Sequence, residues 1–437
     1  NNTAATESQA TTPEVAPTAE AAATSAVTHE FATTERMSTY ITCVCAGHYV
    51  GAHDTYTRGD LTIPLSVYVR ASLAESMDAD NIFTVTKQGL DFYHDNFEFP
   101  YPWGKYDQIF VPEYNLGAME NPGLVTFVDS FIYRDAVTRT EYESRANVIL
   151  HEMAHMWFGD LVTMKWWDDL WLKESFADYM ASLALTTATE FTDGWVTFAL
   201  RRKDWAYRQD QYPTTHPIVA DIPDVEAARL NFDGITYAKG ASVLKQLVAF
   251  VGLDAFMAGS RDYFAKHAFG NTTLVDFLDA LEARTEGRDV RAWADAWLTT
   301  TGVSEISVDV ETDDAGTITK ATVSQSNTGP QVVRPHTFTL AGFNRQRSAM
   351  HPTETWKVDF DTASADLPQL VGIKRPDLLL PGHGDDDFAK MRLDDTTTAH
   401  ALHSVTKLPD ALDRAVVWSA LTNAMRDGSL SVSDFVN

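Results

Sequence analysis

The chain has 437 residues, enough for about three domains and a sizeable core, which excludes a peptide hormone or a mini-scaffold. Hydrophobic residues make up 44%, aromatics 11% and charged residues 22%, the profile of a globular chain rather than a fibrous or disordered one. Lys plus Arg number 34 against 61 for Asp plus Glu, so the formal charge is −27; this is the wrong sign for following phosphates, and nucleic acid and anionic membranes drop out as default partners.

Residues 1–27 are mostly Ala, Thr, Pro, Glu and Ser with no Lys or Arg, too little apolar surface to offset ordering entropy, and predict a mobile segment. The segment has no basic region followed by an apolar one, so no signal peptide is visible, and without a starting Met a processed chain or a fragment is expected. Strand-like residues fill 37–50 and 61–73. The only cysteines, Cys43 and Cys45, lie two apart and would share one strand face; two thiols cannot staple so long a chain, and a reducing, cytoplasmic setting is expected. Two further short strands, 108–111 and 124–128, flank a loop with two glycines and two prolines.

From about residue 140 to 301 the pattern is helical. A capping box at Thr140 and Glu143 opens a helix whose apolar stripe runs through Ala146, Ile149, Leu150, Met153, Ala154 and Trp157, with Gly159 as its stop. A second helix starts near Asp169, and others cover 238–250 and 275–285. After Gly302 the period changes to two, through Ile306–Val310, a polar turn at 313–316, 318–323 and 336–340, which predicts a small β-sandwich ending near Leu393. From Leu408 the pattern is helical again but too short to bury a core of its own, so it either docks on the sandwich or begins another domain. No apolar run reaches the roughly 18 residues of a membrane-spanning helix.

The chemistry concentrates in His151-Glu152-Met153-Ala154-His155. On a helix, residues four apart share a face, so both imidazoles can close on one cation while Glu152 faces a water beside it. The bland alternative is a hydrogen-bonded core pair. A catalytic zinc needs a third protein ligand and an open position. Glu174, separated from His155 by 18 intervening residues and on the next predicted helix, is placed to supply it, and its neighbours Trp166, Trp167, Leu170, Trp171 and Phe176 argue for burial. An unpaired carboxylate buried there would be costly, and zinc removes that cost. One zinc per chain, ligated by His151, His155 and Glu174, with Glu152 moving the proton, gives amide hydrolysis. Asp178, one turn after Glu174, is either an outer partner of a ligand imidazole or an exposed helix carboxylate. The run Asp385-Asp386-Asp387 near His383 reads as a solvated loop rather than a second metal site.

Gly117-Ala118-Met119-Glu120-Asn121, followed by His151, Glu152, His155 and Glu174 at this spacing, resembles the aminopeptidase N family of gluzincin zinc metallopeptidases. The likeness covers about residues 37–437. It implies a multidomain α+β fold: 28–57 as the end of an N-terminal β domain, 58–301 as a thermolysin-like, mostly helical catalytic domain with a small β-sheet subdomain, 302–395 as the β-sandwich and 396–437 as the start of a helical domain. Most of the N-terminal saddle domain and most of the C-terminal helical domain would then be missing, and zinc binding with reduced turnover is expected if these residues are the whole molecule.

The resemblance further implies that Gly117, Ala118, Met119, Glu120 and Asn121 form an edge strand pairing with substrate, Glu120 binding its α-amine and Met119 lining the first side-chain pocket; alone, the loop reads as an ordinary turn. It also implies that Tyr237, in Tyr237-Ala238-Lys239-Gly240, donates to the oxyanion, although a lone tyrosine is more often structural. Lys173 stands where the family usually has Asn. The expected function is a monomeric zinc aminopeptidase acting on peptides with a free N-terminus, the alternatives being a thermolysin-type endopeptidase or a catalytically silent peptide-binding fragment.

Overall fold

The structure, a computed structural model, describes residues 5–7 and 28–436. The expected mobile stretch 1–27 lies outside the described residues except for Ala5–Glu7, a strand paired antiparallel with His29–Phe31. The chain divides into two compact units, one of residues up to 87 and 100–161, the other of 88–99 and 162–437.

In the first unit, Tyr49–Arg58 and Leu61–Arg70 form a hairpin paired from Tyr49 opposite Arg70 to Arg58 opposite Leu61. The hairpin puts residues on both sides of position 57/58 in one sheet. Ile63, Leu65, Val67 and Val69 all face inward, the period-two pattern of a half-buried strand. Leu61–Arg70 pairs in parallel with Tyr106–Val111, which pairs in parallel with Leu124–Val128, and the two-residue strand Ala118–Met119 closes the edge. The parallel step requires a crossover, supplied by the helix Ala79–Phe97. The sequence reading did not assign this helix, although Ile82, Phe83, Leu90, Tyr93 and Phe97 mark its buried face.

The strand expected from residue 37 begins only at Tyr49. Its partner strand ends at Arg70, and Ala71 donates its N–H back to His48, so upstream residues have no row to pair with. Residues Thr39–Ile41 form a single 3-10 turn instead. The helix Arg139–His155 is capped two residues earlier than expected: the Thr138 backbone N–H donates to Glu141 Oε2 at 3.1 Å, completing a box with the Thr138 hydroxyl. Buried Arg145 donates to Asn81 Oδ1 at 2.8 Å and to the Phe131 carbonyl at 3.2 Å, fixing this helix to the first turn of Ala79–Phe97.

In the second unit, helices Trp171–Ala188, Leu253–His267 and Leu274–Glu282 meet around Phe176, Phe256, Tyr263 and Phe277. Two sheets follow. One sheet has the order Ser364–Asp366, Ile318–Asn327, Ser304–Thr312, Ala389–Arg392, and the other Ala349–Phe360, His336–Gln346, Leu378–His383. Phe338 and Leu340 point into the core between the sheets. Ala341 and Phe343 lie on the opposite face of the same strand by its period-two alternation and share a core with Val405, Val416, Val417 and Leu421 of the C-terminal helical segment. Helices Asp395–Ser404 and Ala411–Arg426 therefore dock on the sandwich through a shared core.

The run at 385–387 is not the solvated loop the sequence suggests. Lys203 pairs with Asp385, Lys245 donates to the carbonyls of Gly384 and Asp385 at 2.6 and 2.9 Å, and Asp387 holds His336 Nδ1 at 2.8 Å. No single helix among the described residues is long and apolar enough to cross a membrane.

His383 Nδ1 lies 2.6 Å from Asp413 Oδ1, tying the sandwich to Ala411–Arg426. That hydrogen bond raises the His383 pKa above its ordinary value, against a smaller opposing effect of burial. The bonded imidazolium therefore stabilises the fold fully below the unfolded value of about 6.5, and the contribution fades as pH rises through the folded value. Urea unfolding should show wild type losing more stability than Asp413→Asn between about pH 6 and pH 8; equal losses would refute the coupling.

Candidate metal centre

The sequence-predicted residues fall into two groups, one in each compact unit. In the first, the helix Arg139–His155 carries His151, Glu152 and His155 in its last turn and a half. His155 is only 1% exposed, and its Nδ1 lies 2.9 Å from the Phe158 carbonyl. A carbonyl accepts only, so the proton sits on Nδ1 and Nε2 presents a lone pair. That Nε2 faces His151 Nε2 at 3.1 Å, with the rings near perpendicular at 81°. Two imidazole nitrogens at this separation either share a proton donated by His151 or turn their lone pairs to a common cation. The donor set suits zinc: imidazole nitrogens with carboxylates close by.

Glu120 and Glu152 are both buried, and with His155 they bring one ligand-type atom each within 4.8 Å of one another. Glu120 follows Ala118–Met119, whose residues pair with Phe127 and Thr126 at the sheet edge, while the Gly117 carbonyl accepts from Val128 N–H at 2.9 Å. The edge strand implied by the resemblance is therefore present, though only two residues long. Asn121 is buried and donates to Thr126 Oγ1 at 3.1 Å, which fixes the turn after Glu120. Tyr40, which no sequence signal singled out, donates its hydroxyl to Glu120 Oε1 at 3.4 Å. The Tyr114 hydroxyl, 3.1 Å from Thr126 Oγ1, has its pKa raised by burial and by negative charge at Cys43, Glu152 and Glu120, against the Thr126 bond.

In the second unit, Glu174 lies in the first turn of Trp171–Ala188 and is 2% exposed, as its aromatic neighbours suggest. Its burial does not require a metal, however. Lys173 Nζ sits 2.6 Å from Glu174 Oε1, also buried and 5.8 Å from the Phe232 ring centre, so an ammonium already offsets the carboxylate. The argument from an unpaired charge is thereby corrected, and Lys173 does more than perturb the surroundings. Asp178 is buried, not exposed, and the Arg202 guanidinium takes both its oxygens, Nε at 2.9 Å from Oδ2.

Tyr237 is half-buried within a π-type turn, Ile235–Lys239, that opens the helix Gly240–Val251. Buried Lys239 anchors that turn, ion-paired with Asp210 Oδ2 at 2.9 Å and donating to the Thr300 carbonyl at 3.2 Å; desolvation lowers its pKa to about 8 despite the Asp210 charge. Ser175, next to Glu174, donates to the Thr236 carbonyl at 2.6 Å, so Glu174 and Tyr237 stand on directly bonded segments.

A peptidase family M1 domain matches residues 82–297. Aminopeptidase N of Streptomyces lividans is 46% identical over 417 residues, covering 93% of this chain and 48% of that protein. The chain belongs to the aminopeptidase N family of metallopeptidases. Probable aminopeptidase 2 of Sulfurisphaera tokodaii is 36% identical over 281 residues, 64% of this chain and 35% of that protein. Leucyl aminopeptidase of Saccharolobus solfataricus is 34% identical over 285 residues, with 65% and 35% covered. The chain thus spans about half the length or less of these relatives.

Gly240 is the tightest point of the second group: a Cβ there would lie 2.0 Å from Ser175 Oγ and 2.7 Å from its Cβ. Gly240→Ala should destabilise the protein by about 1–3 kcal/mol in urea unfolding, as overpacking does. An unperturbed single variant would show that the two segments are not packed as described.

Proposed function

We propose that the chain carries the catalytic centre of a zinc aminopeptidase, which removes the N-terminal residue from peptides. His151, His155 and Glu174 would hold one zinc ion, with Lys173 orienting the Glu174 carboxylate through Oε1. The observation that carries this reading is the His155 tautomer, fixed by the Phe158 carbonyl so that its lone pair is turned toward His151 Nε2. When bound, zinc would polarise the scissile carbonyl and make water a better acid.

The protein residues divide the remaining work. Glu152, beside His155, takes the proton of the attacking water and passes it to the departing amine. The Tyr237 hydroxyl donates to the negative charge developing on the carbonyl oxygen, a contribution of about 3 kcal/mol to the transition state. Glu120 receives the substrate ammonium, with Tyr40 steadying the carboxylate. An ammonium one residue from the scissile bond meets a fixed negative charge, which an internal segment, carrying no charge there, does not, and this favours exopeptidase cleavage. Gly117 to Asn121 offer backbone groups at a sheet edge to an extended substrate, and Met119 lines the pocket for its first side chain. The catalytic part is read as thermolysin-like, and the enzyme as a cytoplasmic monomer, on the sequence grounds given above.

Glu152→Gln should lower kcat by about 10²–10⁴-fold with bound zinc unchanged by elemental analysis; equal activity in both forms would overturn the enzyme reading. N-acetylating a peptide that is otherwise cleaved should abolish its hydrolysis. Cleavage of the blocked peptide would instead make the protein an endopeptidase.

A further inference from the structure

The described residues include one pair of redox-capable side chains that the proposed peptidase chemistry does not use. Cys43 and Cys45 flank Val44 in an irregular stretch between the turn Thr39–Ile41 and the strand Tyr49–Arg58, and their sulfurs lie 3.5 Å apart. Both thiols are half-buried on the same side of the chain, while Thr42, Val44 and Ala46 are exposed, Val44 to 84%. Ile41 is 1% exposed and fixes the upstream end; the downstream end is fixed where Tyr49 enters the ladder.

We propose that Cys43 and Cys45 form a reversible thiol–disulfide site that reacts with small-molecule disulfides. Sulfurs at this distance share a proton. The hydrogen bond from Cys45 lowers the Cys43 pKa to about 7, against the opposing effect of burial, while its bond with Cys43, burial and the Cys43 charge push Cys45 far up. Cys43 is thus the nucleophile near neutral pH.

Its thiolate attacks one sulfur of a disulfide RSSR, forming a mixed disulfide and expelling RS⁻. This removes the Cys43 charge and the hydrogen bond that the Cys43 sulfur accepted, two of the three causes that held Cys45 protonated. Cys45 then loses its proton and attacks Cys43 Sγ, and the second RS⁻ leaves. In balance, two thiols and RSSR give one intramolecular disulfide and two RSH, the protein losing two electrons and two protons. Residues two apart in extended backbone lie near the upper limit of Cα separation for a bridge, so closure draws the segment together and the bond is readily reduced. The site would act as a switchable pair rather than a structural staple.

The test is thiol counting and intact-mass analysis with oxidised glutathione at about pH 7, independent of peptidase activity. Wild type should lose two hydrogens, retain no glutathione and regain both thiols with dithiothreitol. Cys45→Ser should hold one glutathione on Cys43, and Cys43→Ser should react about fivefold more slowly, its smaller thiolate fraction partly offset by greater nucleophilicity. Stable glutathione on the wild type, two persisting thiols, or equal rates in the two variants would overturn the proposal.

Discussion

The Phe158 carbonyl accepts the Nδ1 proton of His155 at 2.9 Å, and the proposed chemistry depends on the consequence. A neutral imidazole has one proton to place, so pinning it on Nδ1 makes Nε2 a lone-pair donor. The carbonyl is available because the Arg139–His155 helix ends at His155 and the chain turns through Gly159, whose φ of +129° favours glycine. Trp103 strengthens the turn by donating its indole N–H to the Met156 carbonyl at 3.1 Å. The backbone that stops the helix thus also sets the protonation pattern of its last residue.

Around that ring the charges are arranged unequally. Glu120 and Glu152 are two buried carboxylates close to one imidazole. A metal and a substrate ammonium would supply positive charge there during the proposed reaction. Glu174 is different, because Lys173 compensates it beforehand. Its carboxylate is oriented before any metal arrives, and the energetic reason for binding one shifts from relief of a buried charge to geometry. Similar buried pairs hold the second unit together, among them Lys239 with Asp210 and Lys203 with Asp385.

Much of this was legible in the sequence because it depends on local periodicity. The His151 and His155 pair, the inward alternation from Ile63 to Val69 and the sandwich strands all follow from spacing that the backbone enforces. Other features depend on partners distant in sequence. The strand expected from residue 37 failed because its partner runs out at Arg70, which no local pattern announces. The capping box expected at Thr140 and Glu143 lies two residues earlier, at Thr138 and Glu141. The Tyr40 contact with Glu120 spans 80 positions, and the burial of Asp385 and Asp387 rests on lysine and histidine from other elements. Polar residues are read as solvated until a distant counter-charge is known, and this is where the reading of 385–387 went wrong.

The central claim is that His151, His155 and Glu174 bind a single divalent ion. X-ray absorption at the zinc edge, on protein loaded with one equivalent of zinc, tests it directly. The account predicts a four-coordinate site with two imidazoles at about 2.0–2.1 Å and oxygen in the remaining positions, one imidazole being lost in His155→Ala and protein oxygen in Glu174→Ala. A spectrum without imidazole scattering, or one that these substitutions leave unchanged, would contradict it.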